Sequence, residues 1–319
     1  GMTAAPVAAP AAEVFRPADV AEAVRFLADH PGAVPIAGGT DVMIDRRLGR
    51  LSTGWLVDIS HLDTGGIVRD GDDLTIGATT TIRSIETSRE LADTAPALVE
   101  AARVLGSVQI RNMATLGGNL CHATTSAEMP PPLLVFGSSA ALAGPSGERS
   151  IDLADLATGP GTTSLAPGEM LVSVTAAVPD GIGSCYIRQT IRWAMDLAGA
   201  GVAASVETDG DTVTALRVGL GAVSPIPMLV PGLDDIAVGH VLDPDVLAEA
   251  AARARDACSP ISDARGTADY RRHVVAVLTA RAIRIAAARA RGTWPIDRLA
   301  PPNGFDPEVL PGRENGPVR

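Results

Sequence analysis

Lysine is absent from the 319 residues: all 26 basic side chains are arginines. A Walker-A phosphate loop, a Schiff-base enzyme and a pyridoxal phosphate site each require a lysine, so all three are excluded. The three cysteines (Cys121, Cys185, Cys258) and five histidines are scattered. None has the paired spacing of a disulfide framework, a zinc site or an iron–sulfur ligand set, and no metal site is expected. Aromatic residues make up 3% of the chain, and no His or Tyr pair stands out as a poised base. Long apolar runs are also missing. Gly, Pro, Asp or Arg interrupts each one before the roughly 20 residues that a membrane span needs, and no basic segment precedes the Ala/Pro-rich start. The chain reads as soluble and cytoplasmic, with Gly1 ahead of Met2 an expression remnant. A net charge of −11 argues against general nucleic-acid binding, which depends on neutralising phosphates.

What is present is apolar content of 46% and a mean hydropathy of +0.21, enough for one large or two moderate cores. The charge is uneven. Residues 251–300 carry ten arginines against Asp256, Asp263, Asp269 and Asp297, a local +6 against −17 elsewhere. That excess reads either as solvated helix faces or as a docking surface for an acidic partner.

Two glycine pairs stand out, in Ala37-Gly38-Gly39-Thr40-Asp41 and Ala114-Thr115-Leu116-Gly117-Gly118-Asn119. Glycine lets a backbone turn tightly and approach an anion, so both pairs are expected to offer unobstructed amide donors to a diphosphate from two sides. Each follows a run that reads as strand or extended loop, Val34–Ile36 before the first and Ile110–Met113 before the second. The first pair also opens a predicted helix, with Thr40 or Asp41 as cap and Val42, Met43, Ile44 and Leu48 behind it, so that the helix start faces the ligand.

Periodicity over residues 16–59 predicts helix, strand, helix, strand, a small α/β unit. A second unit runs from Leu74-Thr75-Ile76-Gly77-Ala78 through helical stretches at Ile82–Leu91 and Ala95–Val104, then strands near Ser138–Leu142 and Met170–Ala177. A boundary falls near residues 179–184. Beyond it, an Asp209-Gly210 turn joins two predicted strands, Asp243-Pro244 starts one helix, and a longer helix is capped near Thr267 and stops at Gly292. That last helix is expected to place Tyr270, Val274, Val277, Leu278 and Ile285 on one face. Prolines from Pro295 onward suggest an extended or disordered tail. Gly219-Leu220-Gly221 and Gly144-Pro145-Ser146-Gly147 are read as strand or turn residues, because neither completes a dinucleotide fingerprint or a nucleophile elbow.

Five ordered motifs carry a resemblance. They are the two glycine segments (the second taken from Ile110), Leu74–Ala78, Arg192-Trp193-Ala194-Met195-Asp196-Leu197-Ala198, and Ser262–Arg272. The chain resembles the FAD-binding medium subunit of the molybdenum hydroxylases, the carbon monoxide dehydrogenase and xanthine dehydrogenase group. The resemblance implies an α+β fold: a two-lobed FAD-binding domain of two small α/β subdomains over residues 1–180 (lobes about 13–65 and 66–180), then a domain over 184–292 with a small antiparallel sheet packed on helices. Residues 293–319 form the Pro-rich tail.

It further implies that Ala37, Gly38, Gly39, Thr40, Asp41, Thr115, Gly117, Gly118 and Asn119 hold the FAD diphosphate, mainly through backbone amides. Glu128 stands where the family usually has an aspartate that binds cofactor hydroxyls. Arg188 stands where several relatives place a lysine near the flavin, a fixed charge whose role is electrostatic. Leu171 and Leu105 fall at apolar contacts to the cofactor, while Cys121 and His122 are better read as loop residues without a catalytic role. FAD is the only redox centre expected in this chain, with no catalytic side chain. The implied function is electron transfer from the [2Fe–2S] clusters of a small subunit, fed by a molybdopterin-binding large subunit, to NAD⁺ or another acceptor. A free-standing FAD oxidase or dehydrogenase and a cofactor-free scaffold are the alternatives.

Overall fold

A computed structural model describes residues 11–192, 195–295 and 298–304. The chain begins with β1 (Glu13–Phe15), α1 (Val20–Asp29), β2 (Val34–Ile36), α2 (Val42–Arg47) and β3 (Trp55–Asp58). The strands form a parallel sheet in the order β1-β3-β2. Helix α1 starts at Asp19, whose carboxylate accepts the Glu22 amide, and it buries Ala23, Val24 and Leu27 at the spacing of one helical face.

Next come β4 (Ile67–Asp70), β5 (Asp73–Gly77), then α3 (Ile82–Glu86), α4 (Arg89–Thr94), α5 (Pro96–Val104), α6 (Val108–Arg111), α7 (Leu116–Cys121) and α8 (Pro130–Val135). Strands β6 (Ser139–Gly144) and β7 (Gly147–Asp152), a small pair β8 (Ala157–Gly159) and β9 (Thr162–Thr163), and β10 (Met170–Ala177) complete this part. Its five-stranded sheet is antiparallel, ordered β4-β5-β10-β6-β7. The stretch expected as one helix from Ile82 to Leu91 is two, because the Ser88 hydroxyl caps a new start by accepting the Leu91 amide.

Strands β11 (Gly183–Gln189), β12 (Ala200–Asp209), β13 (Thr212–Gly221) and β14 (Met228–Leu229) form an antiparallel meander, followed by α9 (Asp234–Ala237), α10 (Pro244–Ala257) and α11 (Ala268–Ala290). The predicted turn is there, with Gly210 at φ +59°, and Asp243 and Thr267 cap α10 and α11 as expected. The sheet is buried on both faces by its period-2 alternation. Cys185, Ile187, Val202 and Ala204 join the core with α10 and α11, whereas Tyr186 and Ala203 join the core of the preceding helices.

Two expectations fail here. Helix α11 buries Val275, Leu278, Thr279, Ala282, Ile283, Ile285 and Ala286, while Tyr270 is exposed and Val274 and Val277 only partly covered. The apolar stripe is therefore rotated from the one expected. The start of the tail is also docked: Trp294 and Ala300 are core residues, and the Pro302 carbonyl accepts the Arg188 amide. The rest of the Pro-rich tail, residues 305–319, lies outside the described residues. Six of the ten arginines of 251–300 pair with carboxylates among the described residues: Arg255 with Asp256, Arg265 and Arg271 with Asp263, Arg272 with Asp269, Arg289 with Glu100 and Arg291 with Asp211. Of these partners only Glu100 and Asp211 lie outside the stretch, so the local excess is met in part.

Candidate cofactor site

The first glycine segment leaves β2 and enters α2. Gly39 has φ +68°, which an L side chain rarely adopts. Among the described residues, the amides of Gly38, Gly39 and Thr40 meet no protein acceptor. Asp41 is the N-cap, yet its side chain makes no capping bond. Met43, Ile44 and Leu48, expected to pack behind the loop, are each more than half exposed. With six residues, α2 has one buried side chain, Arg46, whose Nη1 donates to the Thr53 carbonyl.

The second segment differs. The run before it is helical rather than extended, since α6 spans Val108–Arg111, and Gly117 and Gly118 lie inside α7. Their amides are engaged: Leu116 donates to Thr80 O, Gly117 to Ala78 O at 2.8 Å, Gly118 to Thr115 Oγ1 at 3.1 Å and Asn119 to Thr115 O. The expectation of unobstructed donors therefore holds for the first pair and fails for the second. There, the missing side chain serves close packing: a Cβ on Gly117 would lie 2.9 Å from Ala78 Cβ. The Ala78 amide donates to Val172 O at the β10 irregularity between Leu171 and Ser173, which ties this segment to the sheet.

The structure brings the two segments into contact. A Cβ on Gly38 would sit 1.8 Å from the Met113 carbonyl oxygen, so only glycine admits this approach. On the far side of the short helices, His122 Nε2 lies 3.0 Å from Asp45 Oδ2. Asn119 turns its side-chain oxygen to the Met129 amide and so anchors the loop that carries Glu128.

Glu128 and Arg188 are both almost fully buried and pair directly, and the Tyr186 hydroxyl donates to the other Glu128 oxygen. Burial pushes the Glu128 carboxyl up against the pull of Arg188 and Tyr186, and burial next to Glu128 pushes the Tyr186 phenol well up. Arg188 Nη1 also donates to Asp196 O, but its Nη2 is buried with no partner among the described residues. Such a donor inside a folded protein calls for an acceptor that the described residues do not provide. Leu171 is a core residue beside Leu142, and Leu105 is partly covered, its carbonyl accepting from Arg111. Burial pushes the Cys121 thiol up to about 12, so no thiolate is available there. Among the described residues no group of three or more His, Cys, Asp or Glu is placed to hold a metal. Trp193 and Ala194 of the fourth motif lie outside the described residues.

Sequence reasoning missed two buried ion pairs that frame the site. Glu86 receives Arg111 through both oxygens, at 2.7 and 3.0 Å, and Arg111 also holds the carbonyls of Leu105 and Gly106, fixing the approach to the second segment. Glu100 accepts from the Tyr186 amide, Arg289 and the Ala300 amide, so one carboxylate on α5 caps the free edge of β11 and docks the tail. Arg111 was in a recognised motif, but its partner is 25 residues away, and that of Glu100 is 189 away.

Residues 10–179 match the family model described as FAD binding domain in molybdopterin dehydrogenase, and residues 186–286 match the CO dehydrogenase flavoprotein C-terminal domain. Among curated relatives, the chain is 32% identical to the xanthine dehydrogenase FAD-binding subunit of Escherichia coli O157:H7, covering 88% of this chain and 98% of that one. It is likewise 32% identical to the carbon monoxide dehydrogenase medium chain of Afipia carboxidovorans, again over 88% and 98%. Its fold is similar to a chain of quinoline 2-oxidoreductase from Pseudomonas putida 86, with TM-score 0.83, 31% identity, and 88% and 99% coverage.

Proposed function

The chain belongs to the FAD-binding family of molybdopterin dehydrogenases, as an FAD-dependent medium subunit, and from that premise we propose that it relays electrons. It takes them from [2Fe–2S] clusters of a small subunit, in a complex whose large subunit carries the molybdopterin, and passes them to NAD⁺ or another external acceptor. FAD supplies the chemistry, because a flavin can accept electrons singly and release them in pairs.

The protein's part is binding, orientation and tuning. The amides of Gly38, Gly39 and Thr40, between Ala37 and Asp41, have no acceptor among the described residues and would donate to the diphosphate. Gly117 and Gly118, in the helix that Thr115 caps, present backbone free of side chains against which it would lie, and Asn119 steadies the adjoining loop. Glu128 offers acceptor capacity for cofactor hydroxyls, Leu171 an apolar contact, and Arg188 Nη2 a charged donor for the flavin. A guanidinium cannot release its proton at physiological pH, so Arg188 would favour the anionic reduced flavin without acid–base chemistry. In this reading residues 13–65 and 66–180 act as two lobes around the diphosphate, with 184–292 placing Arg188.

One observation carries the reading: the Gly38 segment, with its unmet amides, lies in contact with the second glycine segment. The test is the visible spectrum of the purified chain with chromatographic identification of released cofactor, followed by reduction with a reduced [2Fe–2S] partner. FAD that is reduced by the partner, and by no small-molecule substrate alone, supports a relay. Direct turnover by the isolated chain would instead make it a free-standing enzyme, and folded protein that takes up no FAD, with or without partner subunits, would make it a scaffold.

A further inference from the structure

We propose that Asp45 and His122 form a protonation-sensitive tie that sets how the two glycine segments face each other, and so controls cofactor retention. The proposal rests on both segments forming the diphosphate site. Asp45 lies on α2, the helix that the first segment opens, and His122 is the C-cap of α7, which contains the second pair. The two residues are 77 apart in sequence and belong to parts of the molecule built on different sheets, yet Nε2 and Oδ2 are 3.0 Å apart. With Gly38 seated on the Met113 carbonyl, the two segments are joined at two points. One is a backbone-to-backbone close approach with no titratable group. The other contains an imidazole.

Both side chains are partly exposed, at 32% for His122 and 23% for Asp45, so the imidazole can exchange protons with solvent. Protonated, it forms an ion pair with Asp45. Neutral, it keeps a hydrogen bond from Nε2–H and loses the charge attraction. The surrounding charges do not replace it. Arg50 Nη1 is 3.6 Å from Asp45 Oδ1 but lies in the turn after α2, on the same side of the junction. On α2 itself, Arg46 is directed to Thr53 O, Arg47 sits in the last turn and Asp41 at the N-cap. On α7 the neighbouring Cys121 thiol stays neutral, pushed up to about 12 by burial.

The experiment measures the FAD release rate of the full chain by flavin fluorescence from about pH 5.5 to about pH 8. It compares the unaltered protein with Asp45→Asn, His122→Gln and the double variant. Release from the unaltered protein should accelerate about five-fold across that range, the size of a partly exposed ion pair. Each variant should release FAD about five-fold faster at the acid end with a flat profile, and the double variant should match either single one. An Asp45→Asn protein that keeps the full pH profile would overturn the tie, because His122 would then be acting on the anionic ligand alone. Additive effects in the double variant would overturn it too. Hydrogen exchange of the cofactor-free chain gives a readout independent of FAD: protection factors of residues 39–47 and 116–122, corrected for the intrinsic exchange rate at each pH, should fall together as pH rises, and protection factors that do not change with pH count against the tie even if FAD binds normally.

Discussion

The two glycine segments look alike in sequence and are built on opposite principles. The first leaves a strand with one residue at positive φ, with amides unmet and no side-chain cap on the helix it starts. The second is internally complete: Thr115 caps α7 and each amide from Leu116 to Asn119 has a protein acceptor. One region keeps open donors and the other is a finished wall; in the proposed reading the cofactor's diphosphate would lie between them. A Gly-Gly pair can therefore mean an open set of donors or merely the absence of a side chain, and the difference lies in where the neighbouring carbonyls fall.

Substitutions can break this contrast at several strengths. Gly38→Ala should have the largest effect, since its Cβ would overlap the Met113 backbone. We expect a loss of about 3 kcal/mol or more in stability, together with loss of FAD, measured by denaturant unfolding and flavin content. Arg111→Ala should come next, at about 2 kcal/mol, because it removes a buried guanidinium and leaves the partly covered Glu86 with Arg83 alone. Gly117→Ala should cost about 1 to 2 kcal/mol through crowding against Ala78, and Thr115→Ala about 1 kcal/mol through the lost cap, both read as a fall in Tm.

Acid should distinguish the segments next. Burial alone would raise the Glu86 carboxyl, but the hydrogen bonds from Arg111 and Arg83 hold it below its ordinary value. Its contribution is thus complete above the ordinary carboxylate range and is lost as pH falls through the lowered value. Stability measured against pH should fall on that acid side, and the fall should be smaller in Glu86→Gln. The smallest effects should come from Asp41→Ala, which removes no capping bond, and Gly118→Ala, whose Cβ would meet only Thr115 Oγ1 at 3.1 Å. Each should change stability by about 0.5 kcal/mol or less. Asp41→Ala costing as much as Thr115→Ala would erase the contrast.

Much of the fold could be read locally. The caps at Asp243 and Thr267, the turn at Gly210 and the strand at Met170–Ala177 act within a few residues, and each is found as expected. The failures share a cause. Val274 and Val277 are apolar at helical spacing, but the face of α11 that is covered depends on where β11 and β12 lie. The helical turn at α6 breaks the expected extended run because Arg111 finds Glu86 and two carbonyls. At the site, the glycines and Asn119 were legible in the motifs, and Glu128 and Arg188 as positions that the resemblance implies. That Glu128 and Arg188 pair with each other, leaving Nη2 over, was not, because 60 residues separate them.

By itself the sequence determined the class of chemistry: no lysine-dependent mechanism, no clustered metal ligands, and two glycine segments able to approach a diphosphate. Composition and spacing suffice for that, since they state which groups exist and which backbone conformations are allowed. Only the tertiary structure decided which amides stay free, which carboxylates are spent on arginines and that Asp45 meets His122. Hydrogen bonds and ion pairs form over about 3 Å, and only folding brings groups far apart in the chain to that distance.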